Sequence, residues 1–378
     1  AIVNGTVNNV AATIVEGSEI GALGLPIPTI AVATGGGLSV IHPNGDVYDK
    51  ATTSAAATLV EFDKRGNLYV GQGDYINRFD LSTLYADASN PYLSTHENNG
   101  TIITIREFAN GSNPALLSST TSLAVTDNGF AAGSAGGLTS VLFNAGNHEE
   151  SAVAYVTSVY NTGYMLGDTR LATFAVSSIT DRSVKGNTLT KSGTINGALV
   201  ATGAEVYGYS NFSASNYLSR AYDADFDFGT GDFSICFWTK FTSNGASQVM
   251  LDRSVTGTPR FLVYNTTGNI LQFYIHDGSG ATSVNAGSFG DNNWHQVVCV
   301  KRGTSSIGIF VDGILKDEDP SIVTGTLSSA TAQLHIGVNR QQNDPLNGSL
   351  SLVRISATAP TPQQVKDIYD AEAPLFRA

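Results

Sequence analysis

The chain has 378 residues, of which 42% are hydrophobic and 14% charged, and its formal net charge is -12. This length exceeds the usual size of a single domain, so we expect two domains, each with its own core. The acidic balance, without a Lys/Arg cluster, disfavours nucleic-acid binding, and no apolar stretch approaches the roughly 20 residues that span a bilayer, so we expect no membrane insertion.

The composition favours an all-β fold. The 40 glycines are spread among many Ser, Thr, Asn, Val and Ile residues rather than concentrated in one tract. Gly and Asn tolerate the positive φ of tight turns, while β-branched residues suit a pleated surface. The chain starts Ala-Ile-Val with no signal-peptide pattern, so we expect a processed product or part of a longer chain.

The first predicted domain, residues 1–169, contains a loose internal repeat. Each unit reads strand, turn, strand, Gly-rich turn and strand, and the three units lie near residues 29–48, 58–79 and 122–142. Such hairpin meanders are the building blocks of propeller blades. A closed propeller needs at least four blades, so the remaining blades are degenerate, upstream or in a neighbouring subunit. A plain β-sandwich of meanders is the alternative.

The second predicted domain, residues 170–378, has stronger local signals. Asp312-Gly313 between two apolar runs predicts a type I′ hairpin. Thr361-Pro-Gln-Gln364 is a capping-box pattern with Pro at the first helical position, and it predicts one short helix through about Ala371.

Two cysteines, Cys236 and Cys299, both lie inside strand-like runs. One interpretation is a pair of buried thiols. The other is a disulfide between neighbouring strands, which would indicate an oxidising setting. Their spacing in the sequence does not decide between the two.

Several segments in order carry a family resemblance. They are residues 181–187, 231–238, 293–298, 310–315 and 348–355. In this order and spacing they resemble the laminin-G/pentraxin branch of the concanavalin A-like fold, over about residues 170–376. The resemblance implies a jelly-roll β-sandwich with one short C-terminal helix.

The same resemblance implies two structural features. Pentraxins carry a disulfide between the corresponding strands, so a bond between Cys236 and Cys299 is expected, with the reduced pair as the alternative. Their calcium loop corresponds to residues 337–345, which hold Gln341, Gln342, Asn343 and Asp344 but no Glu. Calcium usually takes six to eight oxygens with several carboxylates. A double calcium site is therefore not expected, and the alternatives are no bound metal or a single weakly bound Ca²⁺ near Asp344.

No catalytic set stands out. Asp223, Asp225 and Asp227 alternate, so an extended backbone would place three carboxylates on one face; a solvated loop is the alternative. Glucanases of this fold use a Glu-x-Asp-x-x-Glu strand, which this sequence lacks. The six histidines also lack zinc-site spacing. We therefore expect a protein that is not an enzyme.

Polar loops are the remaining candidates for function. Amides, carboxylates and aromatic rings are the groups that recognise sugars. The alternative interpretation is that these loops are ordinary solvated turns. The predicted ligand-binding residues are Asn339, Gln341, Gln342, Asn343, Asp344 and Asp277.

The closing segment 365–376 and the connector 160–168 resemble laminin-G-like parts of bacteriophage tail-fibre and related virion proteins. We therefore expect a non-enzymatic adhesion component of a virion appendage, located on a virion or outside the cell. Its expected partners are further copies of itself or other virion proteins, and a host-surface glycan or receptor. The alternatives are a secreted or cell-surface bacterial lectin and a polysaccharide-cleaving enzyme with its site in the N-terminal repeats.

Overall fold

The computed structural model describes residues 5–15, 17–51, 56–72, 75–79, 81, 103–104, 120–144, 150–157, 161–173, 179–183, 185–202, 204, 206–255 and 259–377. The chain divides into two compact units. The first comprises Ala1–Glu149 with Tyr155–Ser158, and the second Glu150–Ala154 with Val159–Ala378. The predicted domain boundary between residues 169 and 170 stays a prediction. No helix among the described residues is long and apolar enough to cross a membrane.

The first unit consists of antiparallel meanders in which neighbours in sequence are neighbours in the sheet. The first sheet contains β1 (Val7–Thr13), β2 (Thr29–Thr34), β3 (Gly37–Ile41) and β4 (Val47–Ala51). The second contains β5 (Ala57–Phe62), β6 (Leu68–Gln72), β7 (Tyr75–Phe79) and β8 (Ile103–Thr104). A third meander contains β9 (Ser122–Thr126), β10 (Gly129–Ser134) and β11 (Gly137–Leu142). The predicted meander repeats are therefore confirmed.

The second sheet lies between the other two. Leu68 and Val70 of β6 pack into a core shared with the first sheet, whereas Tyr69 faces Phe130 and Phe143, with ring centroids 6.2 Å apart in both cases. This arrangement follows from the alternation of side chains along a strand. The first strands of the first two sheets, β1 and β5, also lie next to each other. Asn8 of β1 donates from Nδ2 to the Ala57 carbonyl of β5 at 2.7 Å.

The second unit begins with the paired strands β12 (Ala152–Val156), which the division between units crosses, and β13 (Met165–Leu166). Two larger sheets then form a sandwich. One, which we call the helix-side sheet, has the order β16-β17-β28-β19-β24-β25-β26, with β14 also paired to β28. Its strands are β14 (Thr169–Thr173), β16 (Asn196–Leu199), β17 (Tyr207–Ser210), β19 (Phe233–Phe241), β24 (His295–Arg302), β25 (Ser306–Val311), β26 (Ile314–Asp319) and β28 (Gly348–Ser356).

The other sheet, which we call the open sheet, has the order β15-β18-β27-β20-β21-β22-β23. Its strands are β15 (Thr190–Ser192), β18 (Tyr217–Arg220), β20 (Gln248–Ser254), β21 (Arg260–Asn265), β22 (Leu271–His276), β23 (Ala281–Gly287) and β27 (Gln333–Ile336). Alternate side chains of both sheets fill one core, in which Ile235 and Phe237 of β19 lie with Phe261 and Phe273 of the open sheet, all fully buried. This is the hydrophobic interior that a sandwich requires.

The two strongest local predictions, a type I′ turn and a capped helix, are confirmed. Asp312 and Gly313 have φ values of 54° and 76°, as a type I′ turn demands. The one α-helix of the described second unit, α1 (Pro362–Glu372), starts with the predicted capping box, in which Thr361 Oγ1 accepts from the Gln364 amide at 3.2 Å. A 3₁₀ turn (Ala373–Phe376) follows it. The all-β class with one short C-terminal helix is confirmed.

A β-bulge interrupts β28 opposite β19. Cys236 pairs with Arg354 and Trp238 with Ser351, so three steps on β28 match two on β19. Leu352 at the bulge has a φ of 46°, which costs an L-residue roughly 1–2 kcal/mol. Its buried side chain packs among residues beneath the C-terminal segment. This packing offsets the cost of the strained backbone.

Candidate functional site

The outer face of the helix-side sheet is closed by the C-terminal segment. Trp238 of β19 stacks on Phe376 with ring centroids 4.0 Å apart and planes inclined by 10°. Tyr369 of α1 also stacks on Trp238, with ring centroids 5.9 Å apart. Trp294 also packs against Phe376. This face therefore serves as a second hydrophobic core rather than as a binding surface.

A buried ion pair fixes α1 to this sheet. Arg354 and Glu372 side chains are 2% and 1% exposed, and Arg354 Nη2 lies 3.0 Å from Glu372 Oε2. The same carboxylate accepts from Trp238 Nε1 and the Tyr164 amide, both at 2.8 Å. These groups are all engaged within the fold, so the pair has a structural role, and removal of either partner would leave the other as a costly buried charge.

A small cavity lies beneath α1. Its volume is about 20 Å³, which is enough for one water but far too small for a sugar ring. It is lined by Tyr164, Leu166, Ser234, Cys236, Val298, Arg354, Ser356, Pro360, Val365 and Ile368. This cavity is therefore not a glycan site.

The open sheet has no helix on its outer face in the described part of the second unit, because α1 lies on the opposite sheet. Its outward side chains form rows across the strands. One row, in which each residue pairs with the next, runs Ser219, His335, Asp252, Leu262, Tyr274 and Ser283. We call this surface the tyrosine face and define it by Tyr217, Tyr264, Tyr274, Arg260, Gln272 and His335.

Two tyrosines of the tyrosine face, Tyr264 and Tyr274, lie diagonally on the adjacent strands β21 and β22, because Tyr264 pairs with Gln272 and Tyr274 with Leu262. The Tyr264 hydroxyl donates to Gln272 Oε1, and Gln272 Nε2 donates to Asn285 Oδ1 at 2.6 Å. Burial, with a further contribution from neighbouring Tyr274, raises the pKa of Tyr264 above its ordinary value. Both rings are half-buried, so each presents part of its surface next to amide groups.

Charged groups lie beneath and beside these rings. Asp252 is fully buried; its Oδ2 accepts from Arg260 Nη2 at 3.1 Å and from the Arg340 amide at 3.0 Å, while Oδ1 has no protein partner. Burial lowers the pKa of His335, which favours the neutral form of this ring. Tyr217 packs against His335 with ring centroids 5.7 Å apart. The face thus combines aromatic surface with polar groups held in place.

The predicted loop residues lie at the edge of the tyrosine face. Asn339 Nδ2 donates to Asp344 Oδ2 at 2.9 Å, and the Asn343 amide donates to Asn339 Oδ1 at 2.8 Å. Gln342 donates from Nε2 to the Tyr217 hydroxyl at 3.1 Å, and Gln341 is exposed beside it. The structure therefore brings these five residues together and connects them to the open sheet.

Asp277 lies elsewhere. It follows β22, whose last residue, His276, pairs with Arg260, and this is the end of the sheet opposite the 339–344 loop. Its carboxylate accepts from the amides of Ser279, Gly280 and Gly325 at 2.8 to 2.9 Å. These hydrogen bonds, foremost that from Ser279, lower the pKa of Asp277. The side chain shapes two turns and does not join the other predicted residues.

The predicted calcium loop, residues 337–345, offers mainly amide oxygens. Asp344 is its one carboxylate, and it already accepts from Asn339. Among the described residues, no three His, Cys, Asp or Glu side chains come together as a metal centre requires. One carboxylate does not supply the several that a double calcium site would take. A single weakly bound Ca²⁺ at Asp344 stays a prediction.

The predicted disulfide is wrong. Both Cys236 and Cys299 are free thiols. Cys236 pairs with Val298 and not with Cys299, so the two side chains project from opposite faces of one sheet. Cys299 lies in the sandwich core, whereas Cys236 Sγ accepts from Arg354 Nη2 at 3.0 Å on the helix side. A bond would require a one-residue shift between the two strands.

The tyrosine face was not found by sequence reasoning, although a signal was present. In β21 and β22 the core residues alternate with Leu262, Tyr264, Gln272, Tyr274 and His276. A strand that places tyrosines and amides at its outward positions is a candidate for recognition. These outward strand positions lie outside the loops that the sequence singled out.

A family model matches part of the second unit. Residues 212–366 are similar to a laminin-G family model of the concanavalin A-like lectin/glucanases superfamily, which agrees with the concanavalin A-like class of this sandwich. No curated protein matches the chain.

Among solved structures, the chain is similar to the binding domain of Paraclostridial Mosquitocidal Protein 1, at 11% identity over 54% of this chain and 52% of that one, with a TM-score of 0.46. It is similar to botulinum neurotoxin type C, whose cell entry is described as dependent on two ganglioside molecules, at 15% identity over 54% and 51%, with a TM-score of 0.45. A third is the binding domain of botulinum neurotoxin DC in complex with rat synaptotagmin II, at 14% identity over 54% and 52%, with a TM-score of 0.46. The chain spans about half the length of each.

Proposed function

We propose that this chain, whose residues 212–366 form a concanavalin A-like domain, is a non-enzymatic binding protein that uses its tyrosine face to hold a glycan. The observation that supports this most is the contrast between the two outer faces of the sandwich. One is closed by α1 and stacked aromatic rings. The other presents half-buried tyrosines beside amides.

The chemistry of the face suits a sugar. A tyrosine ring offers an apolar surface for the C–H face of a sugar and a hydroxyl at its edge. Gln272 and Asn285 supply amide groups next to Tyr264, and Gln342 extends the same chemistry to the edge loop. Such a mixture of rings and a few fixed polar groups is typical of ligand sites.

The same face argues for binding without cleavage. Glycoside hydrolysis usually needs two carboxylates about 5 to 10 Å apart. Among the described outward strand positions of the open sheet, Asp252 is the one carboxylate, and it is engaged by Arg260. Its burial beneath the surface keeps it from acting on a bound sugar as an acid or base.

The biological setting in this proposal is a virion appendage such as a tail fibre, with the protein on a virion or outside the cell and a host-surface glycan or receptor as its target. The support is the resemblance of residues 160–168 and 365–376 to virion proteins. A secreted or cell-surface lectin would use the same face. Purifying the native protein and finding whether it copurifies with phage particles, and at what copy number, distinguishes the two settings.

The test of glycan binding uses the full chain on an array of bacterial surface polysaccharides. Replacing Tyr274 or Tyr264 with Ala should weaken binding to the best ligand at least about fivefold, since each removes a ring worth on the order of 1 kcal/mol. The matched control is Tyr222→Ala, because Tyr222 is 39% exposed and lies outside the face. Equal binding by all variants would refute the site, and cleavage of a polysaccharide would refute the non-enzymatic function.

A further inference from the structure

Two hydrogen-bond donors lie next to each other at one end of the tyrosine face. Arg260 of β21 pairs with His276 of β22, and both residues are half-buried. Because directly opposite residues of antiparallel strands have Cβ atoms about 5 Å apart, the two side chains are immediate neighbours. We call Arg260 and His276 the donor pair.

The hydrogen bonding of His276 makes it a donor even when its ring is neutral. The Gly278 amide donates to His276 Nδ1 at 2.9 Å. An imidazole nitrogen that accepts a hydrogen bond carries no proton, so the proton of the neutral ring is on Nε2. Arg260 and His276 therefore both offer N–H groups.

The donor pair adjoins the aromatic part of the tyrosine face. Tyr274 lies two residues before His276 on β22, so both project from the same side of the strand, and their ring centroids are 6.3 Å apart. Arg260 lies two residues before Leu262, the cross-strand partner of Tyr274. A sugar stacked on Tyr274 would therefore have a substituent within reach of the donor pair.

Asp252 holds Arg260 in place without using all of its donors. Asp252 is fully buried, and its Oδ2 accepts from Arg260 Nη2 at 3.1 Å. The Arg260 side chain is nevertheless 24% exposed. A guanidinium has several N–H groups in a planar fork, so one contact to Asp252 leaves others for a second anion. Because Arg260 is already anchored, it loses less side-chain entropy when it binds a ligand.

We propose that the donor pair makes the tyrosine face selective for anionic glycans, with Arg260 contacting the anionic group. This inference rests on the proposed function, since it requires a sugar on Tyr274. The anionic group is a carboxylate or a phosphate carried by the sugar, because a guanidinium fork forms paired hydrogen bonds with either. Such charge-assisted bonds are roughly twice as strong as those to a neutral hydroxyl.

The charges of the chain support a local site of this kind. With a net charge of -12, the protein as a whole repels an anionic polymer, so binding one needs a local positive group. At the described outward positions of β20, β21 and β22, Asp252 is the one carboxylate, and it is buried. Asp277, which follows His276, is held in its turn by three backbone amides.

The test measures binding of the full chain to bacterial surface polysaccharides that contain uronic acids or sugar phosphates. Each polysaccharide is presented as isolated and in a neutral form, with its carboxylates reduced to alcohols or its phosphates removed. The best ligand should lose at least about tenfold in affinity in its neutral form, as the loss of a charge-assisted contact implies. The two treatments show separately which anionic group is recognised.

Arg260→Gln should reduce this preference for the anionic form to nearly none. The matched control is Lys316→Gln, which removes the same charge from an exposed position of β26 on the other sheet and should keep the preference. Because Arg260→Gln leaves the buried Asp252 without its counter-charge, Arg260→Gln combined with Asp252→Asn is measured as well. The double variant has the net charge of the wild type, so its loss of preference reports on the guanidinium itself. Circular dichroism and thermal melting check that each variant is folded.

Two results overturn the inference. One is a wild-type chain that binds the anionic and neutral forms equally while Tyr274→Ala weakens both, in which case the glycan site stands and only its selectivity is refuted. The other is a preference that survives in both the single and the double Arg260 variants, because other residues must then recognise the charge. A chain that binds no polysaccharide in either form overturns the proposed function and this inference together.

Discussion

At the scale of single residues, the charged groups of the sandwich mostly have assigned structural partners. Asp225 pairs with Arg170 and Asp227 with Arg253. Asp223 pairs with Arg220 and caps a 3₁₀ turn (Ala224–Phe226). Because this segment coils rather than extends, the three carboxylates separate and do not form the one-sided set that their alternation would give in a strand.

His295 gives a pH-dependent prediction. Its Nδ1 lies 2.7 Å from Asp312 Oδ2 and its Nε2 lies 3.2 Å from Asp291 Oδ1. Burial of the ring by itself lowers the pKa of His295, but the hydrogen bonds to Asp312 and then Asp291 outweigh it and raise the pKa above its ordinary value. The protonated ring therefore stabilises the fold at low pH.

The contribution should be fully present below about pH 6, under the unfolded pKa of roughly 6.5, and should disappear as the pH rises through the raised folded pKa. His295→Gln should therefore lose on the order of 1 kcal/mol of unfolding free energy at pH 5.5 and distinctly less at pH 8.5, as urea melts would measure. A difference for His295→Gln that grows with pH would contradict this interpretation.

At the scale of elements, α1 is specified at both ends. Thr361 caps its first turn, and replacing it with Ala should cost about 1 kcal/mol of unfolding free energy. Glu372→Gln should cost about 3 to 5 kcal/mol, because it leaves the buried guanidinium of Arg354 without its counter-charge. Asp370→Asn is the matched control, since Asp370 is half-exposed, and should cost less than about 0.5 kcal/mol. Chemical denaturation of the three variants measures this order, and equal costs would contradict it.

Elements that are specified by residues adjacent in the chain were predictable from the sequence. The face of a sheet from which a given side chain projects was not. The Asp312-Gly313 turn and the Thr361 cap depend on residues adjacent in the chain. The positions of Cys236 and Cys299 depend on the register between two strands 63 positions apart in sequence, and a slip of one residue reverses every side chain. The tyrosine face is a product of register in the same way, since it assembles single residues from several strands.

At the scale of the whole molecule, the two units have separate hydrophobic cores. One is centred on Leu38, Leu68 and Val70, and the other on Phe237, Phe261 and Phe273. Separate cores in one chain usually unfold separately. Scanning calorimetry should therefore resolve two transitions.

The calorimetric test also assigns the transitions. Glu372→Gln changes only the second unit, so it should lower one transition temperature by several degrees and leave the other in place. A single transition that moves as a whole would contradict separate unfolding.

The meander repeats were visible in the sequence because each is local, while the stacking of three such sheets depends on contacts across the first unit.

The bulge at Leu352 determines from which face of the sheet the following side chains of β28 project. Leu350, Val353 and Ile355 face the sandwich core, whereas Leu352 faces the helix side. With strict alternation from Leu350, residue 354 would point inward, and a guanidinium would lie among phenylalanines. One extra residue reverses the parity of the strand, so Arg354 reaches Glu372 instead. The Arg354–Glu372 pair that holds the C-terminal helix thus depends on the number of residues in β28. An engineered deletion at 351 or 352 would turn Arg354 towards the core unless one residue were inserted elsewhere in the strand.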